Sequence, residues 1–311
     1  MYNKQNMPRI VVTTTTYNMA DTIHRTYESL VRQRYGNFYW LIIDNGSTDN
    51  TKDVISEIIA ENKIEIEYYK KEYGIRATAI NKAFDVAKGD LLCLVDADDE
   101  LTDDGLEIFS NAWCQIPEEK RNEYCRMTAL CRDFKTGNIV GHEFPKNINK
   151  CRNQRKAGYM LKEEKHDAFN LDVVGNRRIP NLGEDVPYIG ETTLWYQLMV
   201  DHKVYFINKP TRIYHQENDS NESHKISIKK MHGALLATIF SINFNANSGK
   251  RQMPLSRLLY LECLVSFYIV ICGDDYVEMV RKICSYRDRA MIILLTPIGY
   301  VKAHMKGEWL T

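Results

Sequence analysis

Several common signatures are missing from this chain of 311 residues, and each absence excludes a class of protein. Its eight cysteines form no C-x-x-C pair and no metal-ligand spacing, which predicts reduced thiols in a cytoplasmic protein. The first ten residues lack the apolar run of a secretory signal. No stretch reaches the roughly 18 uninterrupted apolar residues of a spanning helix. With 41 basic and 41 acidic residues, no net charge favours nucleic acid as a partner.

The two common phosphate-binding loops are also missing. The sequence contains no G-x-x-x-x-G-K-[ST] loop and no G-x-G-x-x-G turn. A nucleotide bound by this chain would therefore be held through a metal ion and side chains rather than by a glycine-rich backbone cradle.

Charge is distributed unevenly along the chain. Residues 225–311 contain 12 Lys and Arg against 6 Asp and Glu, so this segment carries +6 and the remainder −6. It also contains two apolar stretches, LLYLECLVSFYIVIC and MIILLTPIGYV, which Glu262 and Pro297 interrupt. These stretches fit core helices or a homodimer contact, with the basic excess on a solvated face. The alternative is an amphipathic anchor in peripheral contact with an anionic membrane surface.

The first hundred residues alternate between strand and helix patterns. Apolar or β-branched runs predict buried strands at Ile10 to Tyr17, Phe38 to Asp44 and Leu91 to Val95, and IEIEYYK predicts a half-exposed one. Amphipathic helical patterns separate them, so the order predicts an α/β fold with a mostly parallel sheet flanked by helices. The polar segment Pro145 to Lys165 predicts an irregular loop. Beyond Ser223 we expect helices.

Three carboxylates follow the fourth predicted strand, in the sequence GDLLCLVDADDELT. Asp96, Asp98 and Asp99 lie so close together that they repel one another unless a cation lies among them. An EF-hand is excluded because Leu101 stands where that loop needs glycine, and because a strand precedes the loop. One remaining interpretation is a solvated acidic turn. The other is a site for Mn²⁺ or Mg²⁺, held by one or two carboxylates and the phosphates of a nucleotide.

Other candidate residues lie where predicted elements begin or end. Asp44 ends the second strand, and it either caps the following turn or accepts hydrogen bonds from a base or ribose. Glu191 in GETTLW lies where a helix begins, and it is either a first-turn carboxylate or a general base. Glu184 and Asp185 compete with it for the second role. His215 closes the strand IYH and is either structural or a metal ligand.

Three segments stand in the order and spacing of a known family. TTTTYN, LIIDNGSTDNT and GIRATAINKAFDVAKGDLLCLVDADD resemble the opening strand, the V-D-D-G-S-T-D-x-T segment and the D-x-D-D segment of the family 2 glycosyltransferases. The resemblance implies an inverting, nucleotide-sugar-dependent hexosyltransferase with a GT-A fold. It divides the chain into a GT-A domain at 1–224 and a helical region at 225–311. Within that domain, about 1–100 would bind the nucleotide-sugar and about 101–224 the acceptor.

On the donor side, the resemblance implies contacts with the nucleoside of a UDP-sugar. Thr16 and Tyr17 would contact the base, with Tyr17 stacking on it. Asp44 would hydrogen-bond the uracil ring, and Asp96 would hold the ribose.

The resemblance also implies residues that face the diphosphate and its metal. Lys82 or Arg76 would approach the base or the diphosphate. Asp98 would bind Mn²⁺ or Mg²⁺, with Asp99 as the second choice of ligand. His215 looks like the late metal-ligating histidine of some GT-A enzymes.

On the acceptor side, the family usually carries an E-D pair, whereas this chain has Thr192 after Glu191. The resemblance implies Glu191 as the catalytic base because an amphipathic helix follows it, as in the family; Glu184 and Asp185 remain the alternative. The base would deprotonate a hydroxyl of a saccharide or lipid-linked saccharide. Such a reaction would belong to polysaccharide or glycan synthesis, on the cytoplasmic side and at the inner face of the membrane.

Two rival classes place carboxylates in similar positions. A metal-dependent nucleotidyltransferase or phosphohydrolase is the first, but a D-x-D phosphohydrolase needs its nucleophile after the first strand, where this chain has TTTTYN. A catalytically decayed nucleotide-sugar-binding protein is the second. The intact Asp44, Asp96 and Asp98 argue against decay, whereas the missing acid at Thr192 leaves that reading open.

Overall fold

The computed structural model describes residues 7–150, 154–158, 163–182, 186, 189–215, 228–249 and 253–307. Within these ranges the strands are β1 (Ile10–Thr16), β2 (Phe38–Asp44), β3 (Ile66–Lys70), β4 (Leu91–Leu94), β5 (Glu100–Leu101), β6 (Tyr124–Asp133), β7 (Lys165–Asn170) and β8 (Lys203–Tyr214). The helices are α1 (Ile23–Val31), α2 (Thr51–Ala60), α3 (Arg76–Val86), α4 (Gly105–Gln115), α5 (Gln154–Gly158), α6 (Leu171–Val174), α7 (Thr192–Met199), α8 (Ile228–Asn247), α9 (Leu255–Cys272), α10 (Tyr276–Arg281) and α11 (Tyr286–Gly307).

These strands form one mixed sheet in the order β3-β2-β1-β4-β7-β6-β8-β5. The first four strands in this order run parallel, as do β6 and β8. β7 pairs antiparallel with β4 and β6, and β5 pairs antiparallel with β8. The predicted α/β class is therefore confirmed, but the sheet is mixed because β7 enters it in the opposite direction.

The core of this sheet explains why its strands read as continuous apolar runs. All seven residues of β2 are buried, since helices cover both faces of the parallel strands. α1 buries Ile23, Tyr27 and Leu30, whose spacing puts them on one helical face. Trp40 stacks beside Tyr27, with ring centroids 6.2 Å apart, and donates its indole N–H to Thr14 Oγ1 at 2.9 Å. Packing therefore satisfies even the polar atom of this large side chain.

Strand register determines where polar side chains meet. β1 pairs Thr16 with Asp44 of β2, and Asp44 in turn pairs with Lys70 of β3. On the other side of β1, Thr13 pairs with Leu94, so β4 ends at the same edge of the sheet. The residues that follow β1, β2 and β4 therefore emerge at one carboxyl edge, the place where open α/β sheets bind ligands.

The chain divides into two compact units. The first comprises Met1–Ala157, Leu161–Asn176 and His202–Asn218, and all eight described strands lie in it. The second comprises Gly158–Met160, Arg177–Asp201 and Asp219–Thr311, and it contains α7–α11. Residues 177–201, which the sequence grouped with the acceptor side of a domain ending at 224, thus cluster with the C-terminal helices.

Helix α9 lies at the centre of the second unit, where it packs against both α8 and α11. Gly299 allows the close approach of α11, because a Cβ atom there would lie 2.8 Å from the backbone nitrogen of Phe267. Ser266 donates its hydroxyl to the Ile292 carbonyl across the same contact, at 3.0 Å. Among the described residues, α9 alone is long and apolar enough to cross a membrane, with a mean hydropathy of 1.8. Core helices of soluble proteins meet the same criterion.

Candidate active site

The loops that follow β1 and β2 are joined at the carboxyl edge of the sheet. Asn18 Oδ1 accepts a hydrogen bond from the Thr48 backbone N–H at 2.8 Å, and the Asn18 N–H donates to Ser47 Oγ at 3.0 Å. Asn18 has a φ of 54°, a left-handed conformation that asparagine tolerates better than most residues. Tyr17, directly before Asn18, is therefore held at the edge by a fixed loop.

Asp44 is completely buried at the end of β2, and both of its carboxylate oxygens have partners. The Ser47 backbone N–H donates to Oδ1, and the Tyr68 hydroxyl donates to Oδ2, each at 2.7 Å. Burial and this bond to Asp44 raise the pKa of Tyr68. Asp44 therefore caps the turn after β2, one of its two predicted roles. The predicted contact with uracil stays a prediction.

Two exposed tyrosines form a pair at this edge. The ring centroids of Tyr17 and Tyr73 lie 4.9 Å apart, and the side chains are 39% and 69% exposed. The loop that carries Tyr73 approaches Gly46 so closely that a Cβ atom there would lie 2.6 Å from the Tyr73 nitrogen. Gly46 also has a φ of 87°, which favours glycine. Exposed aromatic faces of this kind can stack on a nucleobase.

The acidic turn after β4 has two arginines as positive partners. Arg212 of β8 is nearly completely buried, and it forms ion pairs with Asp99 (Nε to Oδ2, 3.3 Å) and Asp96 (Nη1 to Oδ2, 3.7 Å). It also pairs with Glu164. Arg76, at the start of α3, donates from Nη2 to Asp96 Oδ1 at 2.5 Å. The repulsion within the turn is therefore reduced by the protein itself.

The carboxylates of this turn differ in their proton affinity. Burial opposes ionisation of Asp96, but Arg76 and Arg212 outweigh it and hold the pKa of Asp96 below its usual value. Burial, together with the charge of Asp96, raises the pKa of Asp98. Burial raises the pKa of Asp99 to about 7 despite its ion pair with Arg212. Asp98 forms no ion pair with the described residues, so its charge is the least compensated of the three.

A divalent cation fits this donor set. The described residues contain no group of three or more His, Cys, Asp and Glu side chains that could hold a metal ion. Magnesium in nucleotide sites needs no such group, because one or two carboxylates and the substrate's phosphates hold it together with water. Asp98 is partly buried and its pKa is raised, so a cation bound beside it would stabilise its ionised form.

His215, the second predicted metal ligand, has structural contacts. Its backbone N–H donates to Asp99 Oδ1 at 2.9 Å, and its Nε2 lies 2.9 Å from Glu100 Oε1. The buried ring stacks on Phe134 with a centroid separation of 4.1 Å. These contacts belong to the structural role that the sequence left open. The metal-binding role of His215 stays a prediction.

The remaining donor-side candidates lie on neighbouring elements. Thr16 is buried at the end of β1, and its hydroxyl has no hydrogen-bond partner among the described residues. Lys82 of α3 places its Nζ 5.7 Å from the ring centroid of Tyr69, whereas Arg76 of the same helix contacts Asp96. Of the two predicted cations, Arg76 is the one that the structure joins to the acidic turn.

Glu191 immediately precedes a helix, α7, as predicted, and it belongs to the second unit. Its carbonyl accepts the Leu194 N–H at 3.0 Å, but its side chain makes no capping hydrogen bond. The competing Glu184 and Asp185 lie outside the described residues. The assignment of the catalytic base therefore stays a prediction.

Sequence reasoning missed three residues that support the acidic turn. Besides Arg212, these are Arg25, which donates from Nη1 to the Asp98 carbonyl at 3.1 Å, and Thr26, whose hydroxyl donates to the Asp99 carbonyl at 2.8 Å. Each is far from the turn in sequence. The sequence offered one signal that could have identified such a residue, a charged side chain within an apolar strand pattern. Of the three residues, only Arg212 shows it.

The sheet order and the acidic carboxyl edge define a GT-A type fold. Residues 11–119 match the family model described as Glycosyl transferase family 2. This segment is about a third of the chain, and over it the protein is similar to the family 2 glycosyltransferases.

Similar proteins include enzymes named for lipid-linked acceptors. The GalNAc(5)-diNAcBac-PP-undecaprenol beta-1,3-glucosyltransferase of Campylobacter jejuni is 25% identical over 213 residues, covering 67% of this chain and 65% of that protein. The UDP-Glc:alpha-D-GlcNAc-diphosphoundecaprenol beta-1,3-glucosyltransferase WfaP of Escherichia coli is 40% identical over 85 residues, covering 27% of this chain and 32% of that protein. The chain thus covers less than two thirds of the length of either relative.

Solved structures share the fold across nearly the whole chain. TarS 1–349 of S. aureus in complex with UDP-GlcNAc has a TM-score of 0.57 at 14% identity, covering 97% of this chain and 92% of that one. The mannosyltransferase PcManGT from Pyrobaculum calidifontis, in complex with GDP-Man and Mn²⁺, has a TM-score of 0.55 at 14% identity, covering 97% and 88%. These likenesses establish the fold alone.

Proposed function

We propose that the protein is an inverting glycosyltransferase that moves a sugar from a UDP-sugar to a hydroxyl group of a lipid-linked saccharide. The observation that carries this proposal is the acidic turn after β4. Asp98 there forms no ion pair among the described residues, beside an Asp96 that Arg76 and Arg212 keep ionised. A turn of this kind, at the carboxyl edge of parallel strands, suits a ribose and a metal-bound diphosphate.

The nucleoside would be held by the joined loops after β1 and β2. Tyr17 and Tyr73 offer exposed ring faces on which uracil can stack. The buried Thr16 hydroxyl contributes a polar group without a described partner. Asp96, ionised through its contacts with arginine, accepts hydrogen bonds from the ribose hydroxyls.

The diphosphate would be held beside Asp98. A bound Mn²⁺ or Mg²⁺ supplies neutralisation of the negative charge that builds up on the departing UDP. Asp98 would hold that ion, with Asp99 as the second carboxylate. Arg76 adds a positive charge from the start of α3, next to Asp96. Lys82, one predicted contact of the diphosphate, lies two turns further along the same helix.

Bond formation would require a base on the acceptor side. Glu191 would remove the proton from the acceptor hydroxyl, which then attacks the anomeric carbon from the face opposite UDP. The bond to the diphosphate breaks as the new glycosidic bond forms, and the anomeric configuration inverts. Ordinary general-base catalysis contributes about 10²–10⁴-fold to such a step.

The names of two relatives support a lipid-linked acceptor. Both contain a diphosphoundecaprenol carrier and a beta-1,3-glucosyl transfer. We extend this acceptor class to the present chain, together with a place on the cytoplasmic side of the membrane and peripheral contact with it through the C-terminal helices. The basic excess of residues 225–311 also supports this placement.

Thermal unfolding with UDP and either metal tests the donor side. Ligand at about 100 times its Kd adds about 2.7 kcal/mol of stability, which corresponds to a rise in Tm of about 4 °C for a chain of this size. Asp98→Asn should lose the metal-dependent part of this rise and about a thousandfold in transfer rate. The matched control is Glu57→Gln, which removes an exposed carboxylate from α2 and should leave both unchanged.

Absence of any rise in Tm for the intact protein, with both Mn²⁺ and Mg²⁺, would contradict a UDP-sugar donor. Hydrolysis of a panel of UDP-sugars, with GDP- and TDP-sugars as controls, then identifies the sugar. The anomeric configuration of the transferred sugar, measured by NMR, tests inversion. Glu191→Gln should reduce transfer without changing the response of Tm to UDP.

A further inference from the structure

Helix α11 has two apolar faces, of which one is used inside the second unit. The buried face contains Asp288, Ile292, Gly299 and Ala303, and it packs against α9. Gly299 and the hydrogen bond to the Ile292 carbonyl fix this face at close range. The orientation of α11 is therefore set, and so is the identity of the residues that face outward.

The outward face is also apolar. Six of its side chains are each more than half exposed, namely Tyr286, Ile293, Leu294, Ile298, Tyr300 and Val301. We call these residues the α11 stripe. The twelve residues from Ala290 to Val301 include no Asp, Glu, Lys or Arg. An exposed helix face normally carries charge, so this stripe is unusual for a surface in water.

Basic residues stand at both ends of the α11 stripe. Arg289 lies near its first residue, Tyr286, and Lys302 and Lys306 follow it in the sequence, whereas Arg287 is paired with the buried Glu262 and Asp288. Tyrosines lie near each end, and tyrosine is enriched where protein meets the headgroup layer. Apolar residues bounded by tyrosine and basic residues are typical of helices that lie in the plane of an anionic lipid surface.

A second copy of the chain is a poorer occupant of this surface. The stripe spans 15 residue steps, so it is about 22 Å long and, at about 10 Å of width, offers about 220 Å² on each copy. Stable protein interfaces bury at least about 1,200 Å² in total, nearly three times the area that two such stripes supply.

We propose that the α11 stripe is the surface by which this protein lies on an anionic lipid bilayer. The stripe enters the boundary between headgroups and acyl chains, and the positive charge of Arg289 and of the lysines that follow the stripe in sequence attracts the anionic headgroups. The role of this surface rests on the proposed function, because a lipid-linked acceptor is presented at that boundary. The binding itself involves no sugar nucleotide.

Flotation of the full-length protein with lipid vesicles tests this surface. Vesicles of phosphatidylcholine containing about 30% phosphatidylglycerol should bind it about tenfold better than vesicles of phosphatidylcholine alone. Leu294→Glu/Ile298→Glu puts two charges on the exposed stripe and should reduce binding about tenfold or more. Val31→Glu/Ile59→Glu is the matched control, since it changes two exposed aliphatic residues of α1 and α2. It should bind like the unsubstituted protein.

Two results would overturn the proposal. One is failure of the intact protein to float with the anionic vesicles. The other is a dimer, seen by sedimentation equilibrium, that Leu294→Glu/Ile298→Glu converts to a monomer, since a second copy then covers the stripe.

A separate assay, hydrolysis of UDP-sugar without lipid, distinguishes failure of this proposal from failure of the proposed function. If the protein floats with vesicles but hydrolyses no nucleotide-sugar, the membrane surface is supported and the proposed function is contradicted. If it hydrolyses UDP-sugar but does not float, the proposed function is supported and the membrane surface is contradicted.

Discussion

Two clusters of arginine and carboxylate, one in each unit, differ in what their charges accomplish. In the helical unit, Arg287 of α11 pairs with the buried Glu262 of α9 and with Asp288 at 2.7 Å. In the sheet unit, Arg212 pairs with Asp96 and Asp99 at the end of β4. Both clusters contain more carboxylates than arginines, yet only the second lies at an edge where ligands bind.

The comparison teaches that a buried charge is not by itself a functional site. The ion pair between α9 and α11 joins two packed helices, so its effect is to specify how they align. The cluster around Arg212 leaves Asp98 without an ion pair among the described residues. Position at the carboxyl edge, together with that uncompensated carboxylate, distinguishes the candidate active site.

Removing the arginine of each cluster is the strongest way to sharpen this contrast. Arg212→Met leaves Asp96, Asp99 and Glu164 without a buried partner, and we expect a loss of about 3–5 kcal/mol in the free energy of unfolding. Glu262 and Asp288 are fully buried, but Arg287 is a third exposed, so water screens its ion pairs from the arginine side and Arg287→Met should cost less, about 1–3 kcal/mol. Urea unfolding measures both. Equal losses in the two variants would mean that the burial of the arginine does not determine how much each cluster contributes to stability.

The sheet unit should also contain the more acid-sensitive part of the protein. Burial, and then the charge of Arg212, lower the pKa of His166 to about 3. The unfolded chain, with a usual histidine pKa, binds this proton below about pH 6.5 and the folded chain does not. Stability should therefore fall as pH drops from about 6.5 toward 3, by about 3 kcal/mol at pH 4.

The variant His166→Gln removes this titration and should flatten that part of the curve of stability against pH. Unfolding by urea at a series of pH values measures the slope. His24→Gln, which changes an exposed histidine on α1, is the control and should keep the original slope. An unchanged slope in His166→Gln would remove His166 as the cause.

The smallest expected effect concerns the exposed aromatic residues of the two units. Tyr73→Ala should weaken UDP binding by about 1–2 kcal/mol, because one stacking face for the base is lost. Tyr286 is exposed on α11 in the other unit, and Tyr286→Ala should leave UDP binding unchanged. Isothermal titration of both variants in the presence of Mn²⁺ measures the difference. Tyr17→Ala is measured in the same way. If UDP affinity falls in Tyr17→Ala and not in Tyr73→Ala, the base stacks on the Tyr17 ring alone.

The parallel half of the sheet could be predicted because its information is local. β1, β2 and β4 are short apolar runs, and the residues at their ends stand next to them in sequence. β7 was missed because Lys165–Asn170 contains charged and polar residues, and because its first residue was the last of the predicted loop Pro145 to Lys165. Its His166 and Asp167 are buried only because β6 and β8 contribute Arg126 and Thr211 as partners.

The same limit explains the missing half of the acidic site. The sequence showed three adjacent carboxylates and implied a positive partner, which we expected to be a metal ion. Arg212 provides part of that charge from more than a hundred residues away, and the His215 N–H reaches Asp99 across a separation of 116 residues. A single sequence does not reveal such pairings, because they depend on the order of strands in the sheet.

The hydrogen bonds of Asn18 have a consequence for the entropy of ligand binding. They tie the loop after β1 to the loop after β2 before any nucleotide arrives. Ordering a flexible loop upon binding would reduce affinity, since each immobilised residue loses conformational freedom. A nucleotide that enters this edge meets loops that are already ordered. The free energy of its contacts is then available for affinity instead of being consumed in arranging the protein.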